Sequence, residues 1–132
     1  MKAKLAVLAE YAGISKDNRL NILGIFEDIS VRAFPATMPH LYAVLSCQAE
    51  PTEYGRNLPI RVAFLDEDGN EILALEALTQ VARPKHPSDR VIVNQIAVLS
   101  FVQFRHPGNY RFLFSVEGEE IASIPLRADK VD

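Results

Sequence analysis

The stretch FRHPGNYRFLFSVEGEEIASIPL, residues 104–126, holds two strands and two turns, and this pattern decides the fold. Tyr110, Phe112 and Phe114 occupy alternate positions, which is the period of a strand that buries one face. Before them, HPGN combines the fixed φ angle of proline with a glycine that tolerates a positive φ. A Glu-Gly pair then reverses the chain into a second apolar strand. We therefore interpret the histidine, the acids and the glycines of this stretch as turn residues rather than as a catalytic site.

The same alternation recurs along the chain in short runs that are separated by polar or proline-containing turns. The predicted strands are 4–12, 19–31, 41–49, 58–66, 71–83, 90–104, 110–116 and 121–126. Seven or eight short strands joined mainly by tight turns cannot bury both faces of one flat sheet. The sequence therefore predicts an all-β chain with a single domain, residues 1–132. Its predicted fold is an antiparallel β-sandwich of about seven or eight strands, immunoglobulin-like in architecture.

The alternation also predicts which side chains lie between the two sheets. A slip of one residue would turn a strand over and reverse its two faces. The predicted core and interface residues are Ile22, Leu45, Val62, Phe64, Leu75, Tyr110, Phe112 and Phe114.

Three segments leave room for another structure. Residues 71–83 have a rough helical spacing and good helix formers, but they alternate cleanly and follow an Asp-Gly hairpin signal. A strand is predicted there, and a helix stays the alternative. Residues 90–104 are too long for an ordinary strand, so we expect a bulge or bend near residues 94–97. The segment RAFPATMPH, residues 32–40, has two prolines four positions apart, which makes a ladder-forming strand improbable and predicts a loop.

Composition and charge exclude several classes of protein. The formal net charge is −3, and 14 Lys and Arg are scattered among 17 Asp and Glu, unlike the clustered basic surface of a nucleic-acid binder. The apolar stretch 5–9 ends at Glu10, which is too short for a signal peptide, and no segment approaches the ~18 apolar residues of a membrane span. The single cysteine, Cys47, cannot form an intramolecular disulfide. We therefore predict a cytoplasmic protein that binds neither nucleic acid nor membranes.

One end of the sandwich offers a chemical alternative. In an antiparallel chain the segments RAFPATMPH, EDGN and RHPGN fall at the same end, which would carry His40, His106 and Asp66. His86 falls at the other end, and a strand of about six residues spans about 20 Å, so the three histidines cannot share one ion. The alternative function is therefore a small metal-dependent hydrolase, or another enzyme, that uses this end.

Other motifs for chemistry are incomplete. DEDGN, residues 66–70, places oxygen ligands at alternate positions, but the twelfth position of a calcium loop would be Ala77 instead of a glutamate. None of the serines lies in a Gly-x-Ser-x-Gly nucleophile elbow. Neither Cys47 nor any serine has a recognisable histidine base beside it. The sequence contains neither a Gly-rich phosphate loop nor a dinucleotide fingerprint. We predict no catalytic, cofactor-binding or metal-binding residue, and an enzyme stays an open alternative.

Three segments carry a resemblance to a known family: LNILGIFEDISVRAFPATMP, LPIRVAFLDEDGNEI and PGNYRFLFSVEGEEIASIPLR. They resemble a bacterial family of small uncharacterised proteins, known only as a domain of unknown function. In that family a run like ILGIFDNI, followed by FPA and LP, precedes a DxDG hairpin and a closing PGxYxF strand. The resemblance covers nearly the whole chain, although SKDN replaces the acid-glycine pair of the family's first turn. It implies a β-sandwich and brings no catalytic residue, substrate or cofactor.

The predicted function is a non-catalytic cytoplasmic binding module whose loops or edges contact a protein partner or a second copy of the chain. The candidate interaction loop consists of Phe34, Pro35, Met38 and His40. An apolar loop of this kind either plugs the open end of the sandwich, which we favour for Phe34, or forms part of an interface. Self-association is the simplest interface, because most soluble oligomers are symmetric and a sandwich has open edge strands.

Overall fold

A computed structural model describes residues 1–131, in which nine β-strands form two sheets around a shared apolar core. The strands are β1 (Lys2–Ile14), β2 (Leu20–Phe26), β3 (Asp28–Val31), β4 (Ala36–Gln48), β5 (Asn57–Leu65), β6 (Glu71–Gln80), β7 (Ile92–Phe104), β8 (Gly108–Val116) and β9 (Glu119–Lys130). A short 3-10 turn, Pro51–Glu53, lies between β4 and β5. Sheet A has the order β2-β1-β4-β7, and sheet B has the order β3-β9-β8-β5-β6. The predicted β-sandwich is confirmed. Within residues 1–131, no helix is long and apolar enough to cross a membrane.

Apolar side chains at alternate positions of both sheets meet in the core, as the sequence pattern predicts. Most of the predicted core residues are buried: Leu45, Val62, Phe64, Tyr110, Phe112 and Phe114. The ring centroid of Phe64 lies 4.7 Å from that of Phe112 and 5.3 Å from that of Phe104. The prediction was wrong for Ile22, which is half-buried and outside this core, and for Leu75, which is 44% exposed.

Two hairpin turns form where the sequence predicts them. Between β8 and β9, Glu117 and Gly118 have φ angles of 51° and 81°. Positive φ at both central positions gives the backbone twist that a two-residue hairpin needs. Between β5 and β6, Gly69 has a φ of 84° and its N–H donates to the carbonyl of Asp66 at 3.0 Å. These two turns fix the registers of β5–β6 and β8–β9.

The segment 71–83 contains a strand and not a helix. β6 pairs with β5 from Glu71 opposite Leu65 to Gln80 opposite Asn57. It is the last strand of sheet B, so its inward-facing side chains have less cover than those of a central strand. This position accounts for the exposure of Leu75.

The segment 19–31, predicted as one strand, is two strands in different sheets. β2 pairs with β1 in sheet A, whereas β3 runs parallel to β9 in sheet B, from Asp28 opposite Arg127 onward. At the crossing, the carbonyl of Glu27 accepts the backbone N–H of Arg127 at 3.0 Å. The chain therefore changes sheets without a turn, which local alternation does not reveal.

The loop predicted over residues 32–40 is present over residues 32–35, and the prediction was wrong for residues 36–40. β4 begins at Ala36, which lies opposite Phe104 of β7. The strand accepts Pro39 because β1 pairs with β4 only from Tyr42 onward, and this part of β4 has a neighbour on one side only. A proline without an N–H is tolerated at such an edge position.

β7 is one strand of 13 residues, and its irregular point lies at Phe101 instead of the predicted residues 94–97. Phe101 has a φ of 55°, which is rare for a residue with a side chain. Leu99 and Val102 are both buried, so the two residues between them face outward together. The alternation of inward and outward side chains along β7 therefore shifts by one residue at this point.

The β1–β2 hairpin leaves the plane of sheet A. β1 pairs with β4 only as far as Ala9, which lies opposite Tyr42. A flat continuation would carry the hairpin toward the first residues of β4. Its tip instead lies against the start of β7, where Asn18 Nδ2 donates to the Ile92 carbonyl at 3.3 Å and Asn94 Nδ2 donates to the Asn18 carbonyl at 3.1 Å. The hairpin therefore folds back across sheet A.

Burial on the outer face of sheet A agrees with this course. Val44 alternates with the core residues Ala43 and Leu45, so it points outward, yet it is fully buried. Ala12 of the hairpin is also buried without belonging to the central core. The folded hairpin covers the outer face and forms a small second apolar layer there.

Candidate functional site

The predicted interaction loop is divided between the core and the surface. Phe34 and Met38 are half-buried and pack against the central core, while Pro35 and His40 are exposed. Met38 also lies in the β4–β7 ladder, opposite Val102. The segment is thus the anchored start of a strand. Its role in an interaction stays a prediction.

The structure brings two of the three residues of the predicted enzyme site together. Asp66 and His106 line the same hollow of about 100 Å³ at the end of the sandwich. His40 lies within β4 opposite Ser100, whereas Ala36 lies opposite the end of β7. Four residues of strand separate His40 from that end by about 13 Å. Among residues 1–131, no cluster of three His, Cys, Asp or Glu side chains is arranged to hold a metal ion.

The side chain of Asp66 closes the β5–β6 turn. Its Oδ1 accepts the backbone N–H of Asp68 at 3.0 Å and that of Asn70 at 2.8 Å. The hydrogen bond from the Asn70 backbone is the main cause that lowers the pKa of Asp66 below its usual value. His106 lies in a turn of similar character, where Tyr110 Oη donates to the His106 carbonyl at 2.6 Å. Asp66 thus holds its turn through its side chain, whereas His106 is held in its turn through its backbone.

The opposite end of the sandwich carries an acidic hollow of about 520 Å³, which includes Glu50, Glu53 and Glu117. The amino group of Met1 lies 2.9 Å from Glu53 Oε1. Burial raises the pKa of Glu53, but hydrogen bonds from this amino group and from the Glu50 backbone outweigh burial and lower the pKa overall. Cys47 lies in the core nearby, where burial raises its pKa to about 11 and keeps the thiol protonated, so it is a poor nucleophile.

A third region, which the sequence does not single out, is the open side of the sandwich between β6 and β7. β6 ends sheet B and β7 ends sheet A, so within residues 1–131 neither strand has a neighbour on its outer side. Between them runs a cleft of about 280 Å³. We call this region the open side; its lining residues are Ile60, Val62, Leu75, Glu76, Ala77, Gln95, Ile96, Ala97, Val98 and Phe114.

The cleft of the open side reaches the apolar core directly. Its floor is formed by the buried side chains of Ile60, Val62 and Phe114. Leu75 lines it from β6, and the exposure of this residue is explained by the gap between the two sheets. At one end a hydrogen bond from Gln95 Nε2 to Thr79 Oγ1 joins β7 to β6 and closes the cleft.

The edge of β7 lacks the usual protection against added strands. Ile92–Phe104 contains no Asp, Glu, Lys, Arg or Pro over 13 residues. Natural edge strands are normally blunted by such residues, because their free N–H and C=O groups pair readily with another strand. At one end of β7, Asn18 contacts the Ile92 carbonyl, and at the other Phe101 bends the strand. Gln95–Ser100 remains as a free, regular edge beside the cleft.

A sequence signal for the open side exists, but it needs the strand order to be interpreted. The charge-free run at 92–104 is equally typical of a fully buried central strand. Only the sheet order places this run at an edge. In the same way Leu75 fits a core position by alternation, and only the edge position of β6 exposes it.

Two of the solved structures that match this chain do so over most of its length and at low sequence identity. An immunoglobulin-like protein from Pseudomonas aeruginosa matches with a TM-score of 0.44 and 12% identity, over 92% of this chain and 90% of that chain. An alkylpurine DNA glycosylase from Pseudomonas fluorescens, bound to DNA containing an abasic site analog, matches with a TM-score of 0.40 and 10% identity, over 94% of this chain and 30% of that chain. The sequence matches no curated protein.

The family comparison agrees with the resemblance carried by the ILGIFEDI, DEDG and PGNYRF segments. A family model described as "Family of unknown function (DUF6941)" matches residues 4–129. The predicted resemblance to a domain of unknown function is confirmed. This chain belongs to the family of unknown function DUF6941.

Proposed function

We propose that this chain is a non-catalytic interaction module that binds an extended segment of a protein partner along its open side. The observation that carries the proposal is the combination of a free, uncharged β7 edge with an apolar cleft that reaches the core. Strand addition uses both features, since main-chain hydrogen bonds supply affinity and a pocket for alternate side chains supplies specificity.

The setting that we propose is the bacterial cytoplasm. Cys47 is a buried free thiol, which is the state that a reducing compartment maintains. The exposed apolar side chains on the open side support an interface there, because Val98 is 47% exposed and Leu75 is 44% exposed. Exposed apolar surface of this kind, beside polar residues, is typical of binding surfaces.

Site-specific cross-linking in cells of the source organism tests this proposal. A photoreactive phenylalanine analogue would replace Val98 on the open side and, in a control, Ser123, which is exposed on β9 of the other sheet and separated from β6 by β8 and β5. We expect a discrete cross-linked species from position 98 and none from position 123. Introducing Leu75→Lys into the protein with the analogue at position 98 should abolish the cross-linked species, because the lysine places a charge in the apolar cleft.

Cross-linking at the same two positions can also contradict the proposed function. Equal cross-linking from 98 and 123, or a species that survives Leu75→Lys, would show that the open side is not a binding surface. Circular dichroism of the Leu75→Lys protein checks that the fold is intact, so that loss of the species reports the surface.

A further inference from the structure

We propose that a second copy of this chain binds at the outer edge of β2, so that two β2 strands pair antiparallel about a twofold axis at Leu23. This inference goes beyond the proposed function and does not depend on it. β2 and β7 are the two edge strands of sheet A. Pairing through β2 therefore leaves the open side of each copy accessible to a partner.

The outer edge of β2 is open to strand addition. Within residues 1–131, β2 pairs with β1 alone. Leu20–Phe26 contains no charged residue and no proline, the residues that usually protect an edge strand. Leu23 and Ile25 are 66% and 56% exposed, so apolar surface lies beside this edge. The charges that flank the strand then decide which partner strand fits.

The turn of the β1–β2 hairpin shows which backbone groups of β2 point outward. The Ser15 N–H donates to the Arg19 carbonyl at 2.9 Å, so these two residues close the ladder as a hydrogen-bonded pair. Hydrogen-bonded and non-hydrogen-bonded pairs alternate along an antiparallel ladder. The even-numbered residues of β2 therefore direct their N–H and C=O groups outward; they are Leu20, Ile22, Gly24 and Phe26. Two β2 strands can form hydrogen bonds only in registers that place these residues opposite one another.

Gly24 is the irregular point of this edge, with a φ of 69°. On one side of it, Leu23 lies opposite Tyr11 of β1. On the other side, Ile25 lies opposite Ala9, in the same register. No residue is inserted at Gly24, so the alternation of hydrogen-bonding groups continues along the edge.

The charges that flank β2 select one register. With Leu23 on the twofold axis, Arg19 lies opposite the partner's Glu27, and Glu27 lies opposite the partner's Arg19. Both are non-hydrogen-bonded pairs, in which the side chains approach most closely. A shift of the register by two residues would place Arg19 opposite Ile25 or Ile29 and would lose both ion pairs. The segment 19–27 is therefore complementary in charge to a second copy of itself.

Both charged side chains are available for these ion pairs. Arg19 and Glu27 are exposed, and neither forms an ion pair with another residue of 1–131. Their neighbours across the β1 ladder are uncharged: Ser15 lies opposite Arg19, and the register continues to Val7 opposite Glu27. Arg127 donates its backbone N–H to the Glu27 carbonyl, but its guanidinium is bonded to a carboxylate of its own strand. A second copy can therefore compensate both charges.

Charge reversal in the purified chain tests the inference. In sedimentation equilibrium, the mass of the parent chain should rise with concentration from one copy to two. Arg19→Glu and Glu27→Arg should each weaken the dimer about tenfold, because two ion pairs become two like-charge pairs across the strands. The double variant should restore the dimer. An equimolar mixture of the two single variants should also dimerise, since a mixed dimer regains both ion pairs.

Lys16→Glu provides the control. It makes the same change in net charge as Arg19→Glu, at an exposed position of the same turn that lies outside the paired segment. It should weaken the dimer by less than about twofold, because salt screens exposed charges that are not in contact. Circular dichroism of each variant checks that the sandwich is intact.

Three results would overturn the inference. The first is a parent chain that stays monomeric at every concentration. The second is a dimer that the parent chain, Arg19→Glu and Glu27→Arg form equally well. The third is a dimer that Val98→Lys dissociates, which would place the second copy at the open side. Cross-linking at position 98 decides the proposed function separately.

Discussion

At the scale of single residues, the buried Cys47 thiol makes the stability of the folded chain depend on pH. Burial is the main reason that its pKa rises from 9.0 to about 11 in the folded chain. Since the unfolded thiol loses its proton first, the contribution to stability is fully present below about pH 9 and is lost as the pH rises through about 11. We expect the urea midpoint to fall over this window, and to fall less in Cys47→Ala. Equal falls in both proteins would show that other groups cause the loss.

Phe101 is a second residue at which the backbone conformation leads to a testable prediction. Its φ of 55° disfavours any residue with a Cβ, while its side chain is 73% exposed and contributes little to the core. Phe101→Gly should therefore be more stable than Phe101→Ala by about 1 kcal/mol. At Val98, in the regular part of β7, the order should be reversed, with Ala above Gly by about 0.5–1 kcal/mol. Urea denaturation of the four variants measures both differences, and the same order at both positions would contradict the strained φ.

At the scale of elements, the β1–β2 hairpin extends beyond the β1–β4 ladder, which ends at Ala9 opposite Tyr42. Its tip is held by exposed hydrogen bonds, including those from Asn94 Nδ2 to the carbonyl and Oδ1 of Asn18 at 3.1 and 3.2 Å. Removing them with Asn94→Ala should speed amide exchange of residues 10–24 by roughly tenfold, since such bonds contribute about 1 kcal/mol each. The core strands should keep their protection.

Asn21→Ala provides the control for this hairpin experiment. The Asn21 side chain donates to the Arg19 carbonyl within the same turn, at 3.4 Å, so its loss should leave exchange at the hairpin base unchanged. If Asn94→Ala instead accelerates exchange throughout the sandwich, the hairpin is not an independently opening element.

The elements that the sequence predicts correctly are those with local signals. β8 and β9 follow from alternation and from the Glu-Gly turn, and β6 follows from alternation after Asp-Gly. The errors arise where distant partners decide. β4 starts before Pro39 because β7 pairs with it on one side and β1 does not reach it on the other. The chain leaves sheet A after Phe26 because β9 offers β3 a parallel neighbour.

At the scale of the whole molecule, the same distinction separates the fold from the candidate site. Two facing sheets follow from the number of amphipathic strands, since each must bury one face. The open side depends on which strands end each sheet, and no local pattern encodes that order. The sequence thus contains the charge-free run of β7, but only the assembled sandwich gives it an exposed edge.

An unprotected edge in the whole molecule also predicts how the chain aggregates. When the protein is heated, β7 is the strand with the longest charge-free edge available for pairing with other chains. Val98→Lys should therefore reduce turbidity on heating, because a lysine on an edge strand opposes strand addition. Leu113→Lys makes the same change in net charge on the outer face of β8, a central strand of sheet B, and should reduce turbidity less. If the two variants protect equally, net charge alone governs aggregation, and the edge of β7 has no special part in it.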